Sequence, residues 1–317
     1  MTTPEKITVA VATYRRPDDL VAVLPMLLEH AREVAAGGRV VEVLVVDNDP
    51  DGGGRAVADS FVRDGVRYVL ETEPGIASAR NRALDEAVAS DVLVFIDDDE
   101  RPHEGWLVRL LDTWQSSGAD AVAGAVVSAF EGELDAWVES GDFFRRRRLR
   151  TGSEITVAAT NNLLLDLRVV RRLGLRFDVA FGLTGGSDTL FTRQLTARGG
   201  RMVWCDEAVV TDWVPASRMT RDWVLRRAFR SGNSASRVDL TLADSRASRA
   251  RVRLDALRRG TPRLAGGAGQ WAIGRLVRSD RLASRGLRTA ARGAGMLAGA
   301  FGLAYAEYRR AERPSRA

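Results

Sequence analysis

Residues 92–99 read Val-Leu-Val-Phe-Ile-Asp-Asp-Asp, five apolar positions running straight into three adjacent carboxylates. An uninterrupted apolar run of this length suits a β-strand covered on both faces. Adjacent carboxylates repel one another, so a fold that gathers them supplies a cation or hydrogen-bond donors at the same place. An exposed acidic turn is the plain alternative. The same apolar-then-polar pattern precedes this stretch three times. Residues 7–13 (ITVAVAT) lead into Tyr14-Arg15-Arg16-Pro17-Asp18, residues 40–46 (VVEVLVV) into Asp47-Asn48-Asp49-Pro50, and residues 66–70 (VRYVL) towards Pro74-Gly75. After Pro17, apolar residues recur at helical spacing (Leu20, Val23, Leu24, Leu27, Leu28), and after Gly75 so do Ala79, Ala83, Leu84 and Ala87. Strand, polar loop and helix in repetition predict an α/β fold with a mostly parallel sheet flanked by helices. Ligands bind such sheets beyond the carboxyl ends of the strands. Residues 13–16, 47–49 and 97–99 are therefore expected to share one site.

Composition narrows the chemistry. With 317 residues and 45% apolar content the chain has ample material for a core, which excludes wholesale disorder. A single cysteine, Cys205, cannot close an internal disulfide, which points to a reducing compartment. Two histidines, His30 and His103, cannot build a His-rich zinc site, so any metal is expected on carboxylates. The formal charge of +5 hides an asymmetry: from residue 217 onward there are 23 Arg against 7 acids, while residues 1–216 are net acidic. This predicts two domains, 1–216 and a helical, Arg-rich extension over 217–317. The extension would meet phosphates or an anionic membrane surface; an Arg-biased genome with a solvated helical surface is the bland alternative. The polar start and the short late apolar stretch (residues 296–305) suggest neither export nor membrane spanning, hence a cytoplasmic protein. Short strands are expected at 202–205 and 208–210, an Arg-studded helix at 220–237, a polar helix at 245–259, a linker at 261–269 and a last helical stretch at 271–308.

Five motifs in order, ATYRR (12–16), VVDND (45–49), PGIASARNRAL (74–84), VFIDDDE (94–100) and GGSDTLFTRQL (185–195), resemble the GT-A glycosyltransferases of family 2. The likeness is greatest to exopolysaccharide-type enzymes similar to those of succinoglycan assembly and spans about residues 6–235. It implies inverting transfer of a sugar from a nucleotide-diphosphate donor to a hydroxyl of a glycan or a polyprenyl-diphosphate-linked acceptor. By resemblance Thr13 and Arg15 contact base or phosphate, Asp47 meets the nucleoside, Arg80 serves the nucleotide or a carboxylate beside it, and Asp97 meets the ribose. Asp99 would hold Mg2+ or Mn2+ against the diphosphate, and Asp188 would be the base that deprotonates the acceptor. An Asx-turn for Asp47 and a helix N-cap for Asp188 are the structural alternatives.

Two departures stand out. Ser187 replaces the usual Glu, and Thr211-Asp212-Trp213 stands where many members carry a metal-binding His. The third ligand is thus open between diphosphate oxygens alone and Asp212. On the Arg-rich helix, Arg227 and Arg230 match residues that would bind the diphosphate of donor or lipid acceptor. Trp204, Trp213, Asn161 and Asn162 are acceptor-side candidates, with packing the commoner role for such Trp residues. The tail, 275–292 and then 293–308, reads either as an interfacial amphipathic helix on the inner face of the cell membrane or as a packed helix with Arg facing water. A sugar-nucleotide-binding pseudoenzyme is a rival reading, motivated by Ser187 and Thr211. A nucleic-acid binder is disfavoured by the acidic body and the lack of regular aromatic platforms.

Overall fold

A computed structural model describes residues 5–305. The last residues of the expected tail helix, 306–308, lie outside the described residues. The chain divides into two compact units.

The first unit comprises residues up to Glu133, Phe144–Asp178 and Asp188–Ala216. In chain order it carries β1 (Lys6–Thr13), α1 (Pro17–Ala36), β2 (Val40–Asp47), α2 (Arg55–Ser60), β3 (Val66–Leu70), α3 (Ile76–Glu86), β4 (Val92–Asp97), β5 (Glu100–Pro102), α4 (Trp106–Ser117) and β6 (Ala121–Phe130). After α5 (Ala136–Gly141), which belongs to the second unit, come β7 (Asn162–Asp166), α6 (Leu167–Arg172), α7 (Ser187–Ala197) and β8 (Met202–Val214). One eight-stranded sheet runs in the order β3-β2-β1-β4-β7-β6-β8-β5. β1 to β4 pair in parallel, as do β6 and β8, while β7 and β5 run antiparallel to their neighbours.

Alternation along each strand explains the continuous apolar runs. Ile7, Val9 and Val11 share one core with Val43, Val45, Val92, Val94 and Ile96 against α1 and α4. Ala10, Leu44, Val46, Leu93 and Phe95 share the other with α3, α6 and α7. A strand that must bury both faces has no polar positions to alternate.

β8 is longer than the two short strands expected, because Asp206 and Glu207 interrupt the apolar pattern without ending the strand. They sit in a bulge, where the register jumps from Gly124–Cys205 to Ala125–Val209.

The second unit comprises Leu134–Phe143, Val179–Ser187 and the chain from Ser217. Its main helices are α8 (Arg221–Leu242), α9 (Arg246–Leu276) and α10 (Asp280–Ala300). The linker expected over 261–269 is not there: α9 runs through Pro262 without a break. One glycine of that stretch, Gly267, serves close packing, while Gly266 and Gly269 face open space. A Cβ on Gly267 would lie 2.5 Å from the Ala290 backbone nitrogen. No helix of the described residues is long and apolar enough to cross a membrane.

Candidate active site

The register of the parallel strands decides which loops meet. Thr13 stands opposite Asp47, and Ala12 opposite Asp97, so the chain leaves β1, β2 and β4 at one level. The loops expected to share a site do so.

The loop after β2 is built by its own polar side chains. Asp47 is fully buried; its Oδ1 accepts from the Asp49 N–H at 2.9 Å, and its Oδ2 from the Gly54 N–H at 2.8 Å and the Tyr68 hydroxyl at 3.0 Å. Burial, then the Asp47 charge, raises the Tyr68 pKa, so the phenol stays a donor. This is the Asx-turn geometry, and it commits the Asp47 oxygens to the loop. Arg15, at a left-handed φ of 56°, directs its Nε to Asp49 at 3.3 Å.

Asn48, which falls in the expected 47–49 loop but has no role assigned by its sequence, clamps two loops together. Its Nδ2 donates to the carbonyls of Glu71 and Glu73 at 2.9 and 2.7 Å, and its Oδ1 accepts the Gly75 N–H at 2.9 Å. Gly75, with φ 114° and ψ 150°, turns there into α3, a conformation side chains resist. Ala77 and Ala79 are core residues of that helix. Arg80, mostly buried, brings Nη2 to 4.0 Å from Asp97 Oδ1 and lies over the Phe177 ring at 5.8 Å.

In the acid loop, Asp98 is the buried member. It accepts from Thr13 Oγ1 at 2.8 Å and from Arg16 Nη1 at 2.8 Å, and the same Arg16 nitrogen reaches Asp99 at 2.9 Å. Thr13 and Arg16 thus serve as donors to the carboxylates. Burial pushes Asp98 up to about 6, against the pull of Arg16 and with repulsion from Asp99. Burial also pushes Asp97 up to about 7, with Arg80 pulling down and Asp99 and Asp98 pushing up. The 39% of the Asp97 side chain still open to solvent tempers that shift. Burial alone would lower the Arg16 pKa, but the two carboxylates raise it.

Glu100 completes the acid run from beneath. It is 1% exposed, accepts from Asn161 Nδ2 at 2.5 Å, and receives the Asp97 N–H at 3.4 Å. Burial first, then Asp97 and Asp212, drives its pKa well above the carboxylate range. Its place directly after three Asp was the only sequence signal for it. Asp212, opposite Glu100 in the β5–β8 register, is ion-paired with Arg146. His103, distant in sequence from the Thr211 position, is adjacent in space: its Nε2 lies 2.8 Å from Thr211 Oγ1.

Asn161 and Asn162 part company. Asn161 serves Glu100, whereas Asn162 is a buried structural residue bonded to Trp106, Ala125 and Ala208. Trp204 is largely buried, with Nε1 donating to Asp206, while Trp213 is 44% exposed and its backbone N–H reaches the Asp99 carbonyl at 3.3 Å.

Asp188 stands in the first turn of α7, where its Oδ1 accepts the Thr189 N–H at 2.7 Å. α7 is tied to α3 through Phe177. Asn81 both donates to the Phe177 carbonyl (2.8 Å) and accepts its N–H (2.9 Å), and the Phe177 ring stacks on Phe191 of α7 at 4.2 Å. Arg227 and Arg230 lie on α8 in the second unit, Arg227 over the Trp223 ring at 4.9 Å.

Among the described residues no group of three or more His, Cys, Asp or Glu forms a ready ligand set. The donors at the acid loop are hard carboxylate oxygens, the type that suits Mg2+ or Mn2+. Burial first, and the neighbouring carboxylates after it, disfavour the charged forms of Asp97 and Asp98, a penalty that a bound cation would relieve. One or two of these carboxylates, completed by diphosphate oxygens, fit a divalent cation.

Comparison with known proteins agrees with this architecture. The family model of glycosyl transferase family 2 matches residues 8–174. The chain is 34% identical over 239 residues to the succinoglycan biosynthesis protein ExoM of Rhizobium meliloti, covering 73% of this chain and 74% of that protein. Among solved structures, GalNAc-T7 with UDP, GalNAc and Mn2+ aligns with a TM-score of 0.53 at 12% identity, over 74% of this chain and 51% of that one. S. aureus TarS 1–349 in complex with UDP aligns with a TM-score of 0.51 at 14% identity, over 92% and 89%. At such identities the structural likeness speaks for the GT-A fold alone. The matched family segment spans the acid loop and the carboxyl ends of β1, β2 and β4, and on that ground the chain belongs to glycosyltransferase family 2.

Proposed function

We propose that this chain is an inverting, metal-assisted glycosyltransferase of polysaccharide biosynthesis, taking a nucleotide-diphosphate sugar as donor. The observation that carries the reading is the convergence of Thr13, Arg16, Arg80 and the acid run 97–100 at the carboxyl ends of β1 and β4. The loop shaped by Asp47, with Arg15 on its rim, would receive the nucleoside, and Asp97 the ribose. Arg80 would meet the diphosphate, an anion its guanidinium matches in geometry. Asp99 would hold Mg2+ or Mn2+, which supplies neutralising charge to the departing diphosphate. The Mn2+ and UDP in the GalNAc-T7 structure support that choice of cation and nucleotide class.

Asp188 would accept the proton of the acceptor hydroxyl as that oxygen attacks the anomeric carbon. The new C–O bond forms as the bond to the β-phosphate oxygen breaks, and that oxygen keeps the electron pair. The acceptor would be a glycan or a polyprenyl-diphosphate-linked sugar, in keeping with the ExoM likeness. The basic second unit would hold the protein peripherally on the inner face of the cell membrane.

Thermal stabilisation by a panel of sugar nucleotides, each with Mn2+, tests the donor assignment. A true donor at one hundred times its Kd stabilises by about 2.7 kcal/mol, and a panel without any shift would refute it. Asp188→Asn should abolish transfer while keeping the nucleotide shift; undiminished turnover would exclude Asp188 as base.

A further inference from the structure

The arginines of α10 alternate with apolar residues, yet α10 is gripped on two sides within the second unit. Towards α9, a Cβ on Gly286 or Gly293 would fall 2.5 or 2.6 Å from the backbone nitrogens of Trp271 and Leu264. Towards α8, a Cβ on Gly295 or Gly299 would fall 1.9 or 2.4 Å from the carbonyl oxygens of Phe229 and Asn233. A helix enclosed in this way cannot lay its apolar side on a bilayer.

The exposed apolar surface gathers instead at the turn joining α9 to α10. Ile273 is 57% exposed, Leu276 84% and Val277 58%, with Trp271 and Leu282 also exposed on either side. Arg275, Arg278 and Arg281 are interleaved with them, and none has an ion-pair partner among the described residues. Asp280 is the only acid between residues 256 and 305.

The turn is well defined. The Ser279 N–H donates to the Gly274 carbonyl at 2.8 Å, the Val277 N–H donates to Ile273 at 2.9 Å, and Ser279 caps α10. Beside it lies a groove of about 290 Å³ lined by Trp137, Leu225, Trp271 and Leu287, with Arg221 and Arg275 at its wall. Apolar tips ringed by cations are what an anionic lipid surface binds: side chains enter the acyl boundary while guanidinium groups meet phosphates.

We infer that the α9–α10 turn is the element that docks this chain on an anionic membrane, with Ile273, Leu276 and Val277 inserted and Arg275, Arg278 and Arg281 on lipid phosphates. The inference rests on the peripheral-membrane reading above and names the surface responsible. The test is flotation of the intact chain with phosphatidylglycerol/phosphatidylcholine vesicles and with phosphatidylcholine vesicles alone. The chain should float with the anionic vesicles and lose binding as salt rises. The triple change Ile273→Ser, Leu276→Ser, Val277→Ser should cut binding at least about tenfold. The pair Arg278→Glu, Arg281→Glu should cut it as much. The same charge change at Arg249 and Arg251, near the other end of α9, should leave most of the binding. Circular dichroism of the triple variant should match the parent, since the three side chains are exposed. If the parent binds and the triple variant binds equally, or if both Arg pairs matter alike, the turn is not the docking element and the membrane reading stands. If the parent does not bind anionic vesicles, the membrane reading fails and the turn assignment with it.

Discussion

Exchanging Asn162 for leucine should separate scaffold from site at two adjacent residues. Asn162 is 1% exposed; its Nδ2 donates to the carbonyls of Ala125 at 2.9 Å and Ala208 at 2.8 Å, and its Oδ1 accepts Trp106 Nε1 at 2.9 Å. It stands at the bulge between β6 and β8, where carbonyls leave the ladder and need another donor. Leucine keeps the branching at Cγ and the four side-chain heavy atoms, so no cavity forms and the loss is chiefly that of three polar partners. A buried group left unsatisfied costs about 1–3 kcal/mol, and the apolar surface gained offsets part, leaving about 3–5 kcal/mol. Set against a usual total of about 5–15 kcal/mol, this is a large loss. It corresponds to a fall in Tm of about 6–20 °C, at about 2–4 °C per kcal/mol.

Thermal unfolding followed by tryptophan fluorescence and circular dichroism measures it. Asn162→Asp adds a pH test. Burial and two facing carbonyls raise the folded pKa of the introduced carboxyl above its unfolded value of about 3.9. The neutral form is the one the fold tolerates, so stability relative to the parent is best below about pH 4 and falls as pH rises through the folded value. A leucine variant within about 1 kcal/mol of the parent, or an Asp variant that gains relative stability from pH 5 to 8, would refute the reasoning.

Asn81→Ala removes both hydrogen bonds to the Phe177 backbone and should cost about 2 kcal/mol. Because Phe177 stacks on α7, which carries Asp188, transfer should fall further than donor binding; an equal fall in both would contradict that link. Gly295→Ala places a methyl on the Phe229 carbonyl and should destabilise the second unit by about 1–3 kcal/mol. Loss of helical circular dichroism at lower temperature reads it out, and an unchanged melt would mean that α8 and α10 are not packed as described.

What could be read from the sequence divides along physical lines. The first four strands were legible to within a residue because each buries both faces and shows an unbroken apolar run. The last strand was not, since Asp206 and Glu207 look like a stop when the bulge merely turns them aside. The middle of α9 is not legible, because a sequence does not show that Gly267 meets the backbone of another helix while Gly266 and Gly269 merely face open space. At the site, the strand ends announced their loops. The pairings that hold the loops could not be seen: Thr13 and Arg16 meet Asp98 across 85 and 82 residues, and Asn48 meets Gly75 across 27.

The uneven charge has the same two-sided character. In the first unit carboxylates and guanidinium groups answer each other: Arg16 with Asp98 and Asp99, Arg146 with Asp212, Arg67 with Glu42 and Glu86, Arg148 with Asp206. From residue 217 onward that answer cannot be complete, with 23 Arg and 7 acids. An Arg-biased genome would explain why the cation is Arg rather than Lys. It does not explain why cations outnumber acids in one part of the chain only. Like charges along a helical hairpin repel and lower its stability. An anionic surface of the kind proposed would relieve that repulsion at the α9–α10 turn, where Arg275, Arg278 and Arg281 stand beside the exposed Leu276 and Val277.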